Sequence, residues 1–249
     1  MREIEFTILE NKPITDDICK MVLECSAGEH GITAPGQFIN IKIDGLFLRR
    51  PISICDWTET TVTVIYKVVG KGTELLKTYE PGRQLNALSA LGNGFALARA
   101  GQRPLLIGGG VGVPPLYGLC RNLIEAGARP TVILGFNTER EVFYKEEFEK
   151  LGAEVLVATA DGSMGQKGFV TDVLRNIKEP ATFFYTCGPE PMLKALDKAL
   201  AEGLEGEMSF EERMGCGFGA CMGCSCETRY GAKRICKDGP VLERSEILW

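Results

Sequence analysis

Apolar and polar residues alternate through the first part of the chain, take up a longer rhythm near residue 103, and lose both near residue 206. Over residues 2–10, Ile4, Phe6 and Ile8 fall on one face, as a period of two requires of a half-buried strand. Residues 18–23, 37–43 and 61–69 read as further short strands rich in β-branched side chains. Turn signals fall between them at Pro35-Gly36, Asp44-Gly45 and Pro81-Gly82. Strands at this spacing predict a small antiparallel β-barrel over residues 1–100. One short helix is expected inside it, from Gly72 or Thr73 to about Thr78.

From Arg103 the pattern predicts strands at 105–108, 131–136, 155–159 and 182–186, alternating with helices at 115–127, 139–151, 171–177 and 190–202. That order implies a parallel α/β sheet with crossover helices over residues 101–205. Residues 206–249 follow neither period and form a small C-terminal module rich in cysteine.

Composition narrows the function classes. A net charge of −5 gives no basic footprint for nucleic acid or an anionic membrane surface. No run of about 18 apolar residues offers a membrane span. The charged, alternating start is not that of a signal peptide, and ten cysteines point to a reducing cytoplasm.

Five of those ten cysteines lie between residues 216 and 236, so chemistry explains them better than cross-linking. Cys216, Cys221, Cys224 and Cys236 are spaced C-x₄-C-x₂-C…C, the plant-type [2Fe–2S] ligand pattern. Four glycines between Met214 and Cys224 let a loop wrap closely and turn backbone N–H groups inward. A structural zinc site is the alternative. It usually shows two paired cysteine knuckles or a histidine pair, and this chain has one histidine, His30, read as an exposed loop residue. Cys226 makes a C-x-C pair with Cys224, but Cys236 completes the spacing better, which leaves Cys226 a supporting or structural thiol.

Other segments suit phosphates. Gly108, Gly109, Gly110 and Gly112, followed by Pro114-Pro115, sit between a strand and a helix, where backbone and helix N-terminus can receive a pyrophosphate. Cys187, Gly188 and Pro189 end another strand of the same sheet and would open onto the same crevice, although Cys187 alone reads as a buried thiol. Arg49 and Arg50 beside Pro51, Ile52 and Ser53, at a strand end, suit a diphosphate or else form a solvated basic edge. Gly70-Lys71-Gly72-Thr73 opens the barrel's helix as another anion site. Asp161-Gly162-Ser163 reads as a turn.

Taken in order, the Arg-Pro-x-Ser, Gly-x-Gly-Thr, Gly-Gly-Gly-x-Gly-x-x-Pro and Cys-Gly-Pro segments resemble the ferredoxin–NADP⁺ reductase superfamily over residues 1–205. The resemblance implies FAD on the barrel, held by Arg50, Pro51, Ile52, Ser53, Ile65, Tyr66, Lys67, Gly72 and Thr73. It implies NAD(H) at Gly108–Gly112 and Cys187–Pro189. Residues 135–140 carry no basic pair for a 2′-phosphate, Arg140 standing alone. The segment from Ser209 to Cys226 resembles the electron-transfer subunits of NAD-dependent (B type) dihydroorotate dehydrogenases, oxidoreductases of pyrimidine biosynthesis. That likeness implies a [2Fe–2S] cluster and a partner catalytic subunit holding FMN and the dihydroorotate site, two of each in a heterotetramer. No catalytic acid or base is then needed on this chain. A reductase subunit of a hydrogenase, sulfite reductase or ferredoxin–NADP⁺ transhydrogenase would use the same modules, and a non-catalytic zinc module is the alternative of another class. The cysteine tail replaces the aromatic C-terminus that covers the flavin in plant-type reductases, and Trp249 is not assigned to that place.

Overall fold

Alternation in the first hundred residues folds into six strands, each burying one face. In the computed structural model, which describes residues 1–25 and 28–249, they are β1 (Arg2–Pro13), β2 (Ile18–Cys25), β3 (Phe38–Ile41), β4 (Arg50–Trp57), β5 (Thr61–Lys67) and β6 (Gln84–Leu91). Antiparallel pairing in the order β1-β2-β5-β4-β3-β6 closes the sheet on itself, so the barrel has no free edge. Phe6, Ile8, Met21, Leu23, Ile39, Ile41, Ile54 and Val64 fill its interior. Phe38 and Asn40, at the alternate positions of β3, lie on its outer face. Helix α1 (Lys71–Lys77) follows β5.

Two strands exceed what the pattern predicts. Residues 50–53 open β4 rather than end a strand. β6 is made largely of Leu, Ala, Asn and Ser, which have little β-propensity of their own; its pairing with β1 and β3 fixes it. His30 is likewise not exposed. It is 4% accessible, its Nε2–H donates to the Thr58 carbonyl at 2.6 Å, and its Nδ1 accepts the Ile32 N–H at 3.1 Å.

The second unit contains β7 (Pro104–Gly109), α2 (Pro114–Glu125), β8 (Thr131–Phe136), α3 (Lys145–Leu151), β9 (Glu154–Thr159), β10 (Gln166–Lys167), α4 (Val170–Leu174), β11 (Phe183–Cys187) and α5 (Glu190–Ala199). The helix predicted over 139–151 divides. A 3₁₀ turn at Glu139–Glu141 precedes α3, and Tyr144 between them takes φ 65° while its ring packs edge-on against Tyr117 at 5.1 Å.

The last segment does not stand apart from this sheet. β12 (Gly206–Ser209) pairs parallel with β11, and β15 (Val241–Glu243) pairs antiparallel with β12, giving the order β10-β9-β8-β7-β11-β12-β15. The expected parallel sheet therefore ends in one antiparallel strand. Ser209 faces Val241 in this register, and the Phe210 N–H donates to the Pro240 carbonyl at 2.9 Å. Between these points the chain carries the cysteine loop and a hairpin of β13 (Ser225–Thr228) and β14 (Gly231–Arg234). Arg244 holds the end of β15 to α5 through Asp197 and the carbonyls of Asp197, Ala201 and Leu204.

Barrel and α/β unit meet where α2 crosses β4. A Cβ at Gly118 would stand 2.9 Å from the Cys55 carbonyl oxygen, so the helix lies directly on the strand backbone. Arg121 reaches Asp56 at 3.0 Å beside this contact.

Candidate functional site

Between the barrel and the last segment lies a cavity of about 380 Å³, of the size expected for a cofactor-bearing cleft. Arg50, Pro51, Ile52, Ser53, Ile65, Tyr66, Lys67 and Thr73 line it, together with Phe38, Val69 and Val111. Eight of the nine expected barrel residues thus share one wall, although they come from β4, β5 and the start of α1. The ninth, Gly72, sits behind Arg50. A Cβ there would be 2.6 Å from a guanidinium nitrogen, so glycine gives this arginine its place. Arg50 donates to the Leu48 carbonyl at 2.6 Å. Thr73 also orders the turn into α1, since its hydroxyl accepts the Val69 N–H at 2.9 Å and donates to the Gly70 carbonyl at 3.0 Å. The Tyr66 hydroxyl donates to Asn11 Oδ1 at 2.9 Å, and Asn11 Nδ2 donates to the carbonyls of Leu76 and Tyr79.

The two glycine-bearing turns of the α/β unit touch each other, because β7 and β11 are neighbours with Gly108 opposite Cys187. A Cβ at Gly112 would press into the Cys187 carbonyl group and stand 2.6 Å from the Gly188 nitrogen. Gly108 packs on Val113, and Gly109 and Gly188 both pack on Met192. Only Gly110, at φ +53°, faces open space. Three of the four expected phosphate-loop glycines therefore serve close packing, and one serves access. Cys187 is 2% accessible, and burial, with Glu211 near it, pushes its thiol up to about 12. It is a buried thiol beneath the turn. Glu211 itself lines the cavity. At the end of β8 the Asn137 side chain donates to Glu141 at 2.9 Å, and the Ser163 hydroxyl oxygen, which accepts the Glu139 N–H at 2.7 Å, ties in the Asp161 turn.

Opposite the barrel, the cysteine loop curls so that backbone N–H groups point at sulfur. Cys216 Sγ accepts from Ala220 at 3.2 Å and from Cys221 at 3.4 Å; Cys221 Sγ accepts from Cys216 at 3.4 Å and from Gly223 at 3.5 Å. Gly217 and Gly219, at φ +78° and +91°, permit the curl. Burial raises the Cys216 thiol, but N–H donors from Phe218, Cys221 and Ala220 outweigh it and bring it to about 6. Cys224 and Cys236 form a second, buried pair, with the Cys236 N–H on Cys224 Sγ at 3.4 Å. Among the described residues no three His, Cys, Asp or Glu side chains gather round a point for one metal ion. Thiols grouped two and two, in a ring of N–H donors, fit a cluster of two irons better than mononuclear zinc. Phe38 packs in the same apolar cluster as Cys224, Cys236 and Ile235 and also lines the cavity, so cavity and cysteines share a wall. Cys226, on β13, lines a second cavity with Glu190 and Trp249. Trp249 packs there on Phe210 and bonds Asp197, removed from the first cavity.

Comparison with known proteins settles the family. The family model "Iron-sulfur cluster binding domain of dihydroorotate dehydrogenase B" matches residues 211–248, and "Oxidoreductase NAD-binding domain" matches residues 106–198. The dihydroorotate dehydrogenase B (NAD(+)) electron transfer subunit of Geobacillus sp. (strain WCH70) is 44% identical over 100% of this chain and 99% of its own. The chain belongs to that family. The electron transfer subunit of Fusobacterium nucleatum subsp. nucleatum is 43% identical, with 99% of each chain covered. Among solved structures, the NADH-dependent reduced ferredoxin-NADP oxidoreductase superimposes with a TM-score of 0.89 at 30% identity, covering 98% of this chain and 90% of that one. The cytochrome b5 reductase domain of Ulva prolifera nitrate reductase shares the fold at a TM-score of 0.69 and 19% identity, over 84% of this chain and 97% of that one. The family likeness runs through barrel, nucleotide unit and cysteine segment alike. No helix among the described residues is long and apolar enough to cross a membrane.

Proposed function

We propose that this chain carries electrons between NAD⁺ and the FMN of a partner subunit that oxidises dihydroorotate, with residues 1–100, 101–205 and 206–249 as its FAD, NAD and [2Fe–2S] units. The observation that carries the reading is the shared wall: Phe38 lines the cavity fitted to a flavin and belongs to the same apolar cluster as the buried cysteine pair. When bound, FAD exchanges a hydride with NAD(H) and single electrons with the cluster, which takes no hydride.

In this reading Arg50 sets a guanidinium against the FAD diphosphate, with Gly72 and Thr73 beside it, while Pro51, Ile52, Ser53, Ile65, Tyr66 and Lys67 hold the ring system. Gly110 leaves room for the NAD pyrophosphate. Gly108, Gly109 and Gly112 keep that turn against Cys187, Gly188 and Pro189, and Val111 carries it to the flavin cavity. Glu139 and Glu141 at the end of β8 suit a ribose hydroxyl and repel a 2′-phosphate, which favours NAD over NADP. Cys216, Cys221, Cys224 and Cys236 would hold the [2Fe–2S] cluster.

Phe218 and Met222 are exposed on the cysteine loop, and we place the partner's docking face there, in a heterotetramer of two subunits of each kind. All ten cysteines are free, which suits the reducing cytoplasm. Anaerobic visible spectroscopy on the native complex, recovered by a tag on this chain, tests the whole reading. Dihydroorotate is expected to bleach flavin and cluster, and NAD⁺ to restore them. Bleaching by NADH but not by dihydroorotate would move the chain to another enzyme system with the same modules.

A further inference from the structure

One buried polar side chain between the cavity and the cysteine loop is only half satisfied. Asn40, on the outer face of β3 two residues from Phe38, is 1% accessible. Its Nδ2 reaches the Cys216 carbonyl at 3.5 Å, the long end of a hydrogen bond. Its Oδ1 has no partner at all. A buried amide oxygen left unpaired is destabilising, a cost that an apolar side chain would avoid.

The loop is shaped around this amide. Gly217, at φ +78°, lies so close that a Cβ there would collide with Asn40 Nδ2 and stand 3.2 Å from its Cγ. The amide is thus pressed against the Cys216–Gly217 peptide, at the limb of the loop that carries the first thiol pair. Its backbone is fixed in turn: β3 is paired on both sides, opposite Pro51 of β4 and Leu88 of β6. Pro51 lines the flavin cavity. One strand therefore places Phe38 in the apolar cluster of the buried cysteines and Asn40 against the backbone that carries Cys216, with the flavin cavity alongside.

We propose that Asn40 is a positioning residue for electron passage between flavin and cluster. Its N–H fixes the Cys216 limb at a set distance from the barrel, and so sets where the Cys216 thiol and the N–H groups that donate to it stand relative to the flavin cavity. In the step it serves, one electron leaves the reduced flavin and one enters the cluster, with NADH as the source of both flavin electrons. The inference rests on the flavin–cluster reading above.

The test uses the full chain with its cofactors and the variants Asn40→Ala and Asn40→Asp. The latter keeps shape but loses the donor to the Cys216 carbonyl. Iron and FAD content, the rate of flavin reduction by NADH, the rate of cluster reduction and the electron paramagnetic resonance spectrum of the reduced cluster are measured. Both variants are expected to retain flavin and iron and to reduce flavin at the wild-type rate. Cluster reduction should slow ~10-fold or more, as small misplacements of reacting groups do, with an altered spectrum. Wild-type cluster reduction and an unchanged spectrum in either iron-loaded variant would overturn the proposal. So would loss of iron from both variants, which would reduce Asn40 to a prop for the loop. Wild-type protein without flavin and iron would instead refute the reading on which the inference rests.

Discussion

Replacing Gly72 by alanine separates the stability of the barrel from its hold on FAD. The added Cβ would stand 2.6 Å from one guanidinium nitrogen of Arg50 and 2.7 Å from its central carbon. Ordinary contact begins near 3.4 Å, so the guanidinium must withdraw by roughly 1 Å, enough to spoil a hydrogen bond whose useful range is only about half an ångström wide. Arg50 is a flexible side chain and can swing away without moving the backbone, so folding suffers little. Alanine in α1 gains about 0.5–1 kcal/mol in helix preference, which offsets the displaced arginine. The melting temperature of the flavin-free protein should therefore stay within about 3 °C of wild type. FAD affinity should not. One charge-assisted bond to a phosphate is worth ~1.5–3 kcal/mol, and its loss weakens binding roughly 10- to 150-fold. Flavin titration of deflavinated protein measures this, and Arg50→Ala supplies the control. If Gly72 acts through Arg50, the double variant should bind FAD no more weakly than Arg50→Ala alone. An undiminished affinity in Gly72→Ala, or the same further loss in the Arg50→Ala background, would show that Gly72 does not act on FAD through Arg50.

Cys221→Ser should abolish the cluster and electron delivery to the partner while sparing FAD content and NADH–dye reduction; loss of the flavin with the iron would contradict the division of roles. Gly112→Ala forces the β7 turn away from the Cys187–Gly188 backbone, and should raise KM for NADH ~10-fold or more with FAD content unchanged, checked by steady-state kinetics. Glu207 accepts the Ala96 N–H at 2.9 Å and faces Glu243 across the β12–β15 pair. Burial raises its carboxyl above 4.5, the Ala96 N–H and Arg99 counter this in part, and Glu243 adds to the rise. A raised carboxyl binds its proton more tightly folded than unfolded, so wild type loses stability as pH rises from about 4.5 through the folded value. Glu207→Gln should accordingly be more stable by about 0.2–1 kcal/mol at pH 8, with the advantage gone at pH 4, measured by urea unfolding at both pH values.

Periodicity made the two large units legible because it records which face is buried, and the cysteine spacing made the loop legible because three of the four expected ligands share one short glycine-rich stretch. What escaped depended on partners distant along the chain. β6 is a strand by virtue of β1 and β3, not of its own residues, and β12 and β15 are too short to show a period but extend an existing sheet. His30 looked like a loop residue because its partners, Thr58 and Ile32, are backbone groups that leave no mark on composition. The glycines of the β7 turn were recognisable as a tight turn. That three of them accommodate the protein's own atoms follows only from the adjacency of β7 and β11. Asn40 carried no signal at all, since a lone asparagine between isoleucines gives no hint of the loop it meets.

The chain leaves the sheet at Ser209 and re-enters it at Val241, and those two residues stand opposite each other across the β12–β15 pair. Everything between them is an excursion with its feet together, closed by the Phe210–Pro240 bond at its base and anchored beyond its exit by Arg244 on α5. Such an insertion can be exchanged at little cost in loop closure, because its ends already meet. The segment is thus wired into the protein as a plug in a socket: β12 and β15 are the socket, and Phe38 and Asn40 on the barrel are the contacts it must match. A different cluster-bearing loop grafted between the same two strands would redirect the outgoing electron to a new acceptor while leaving the flavin cavity and the nucleotide crevice as they are.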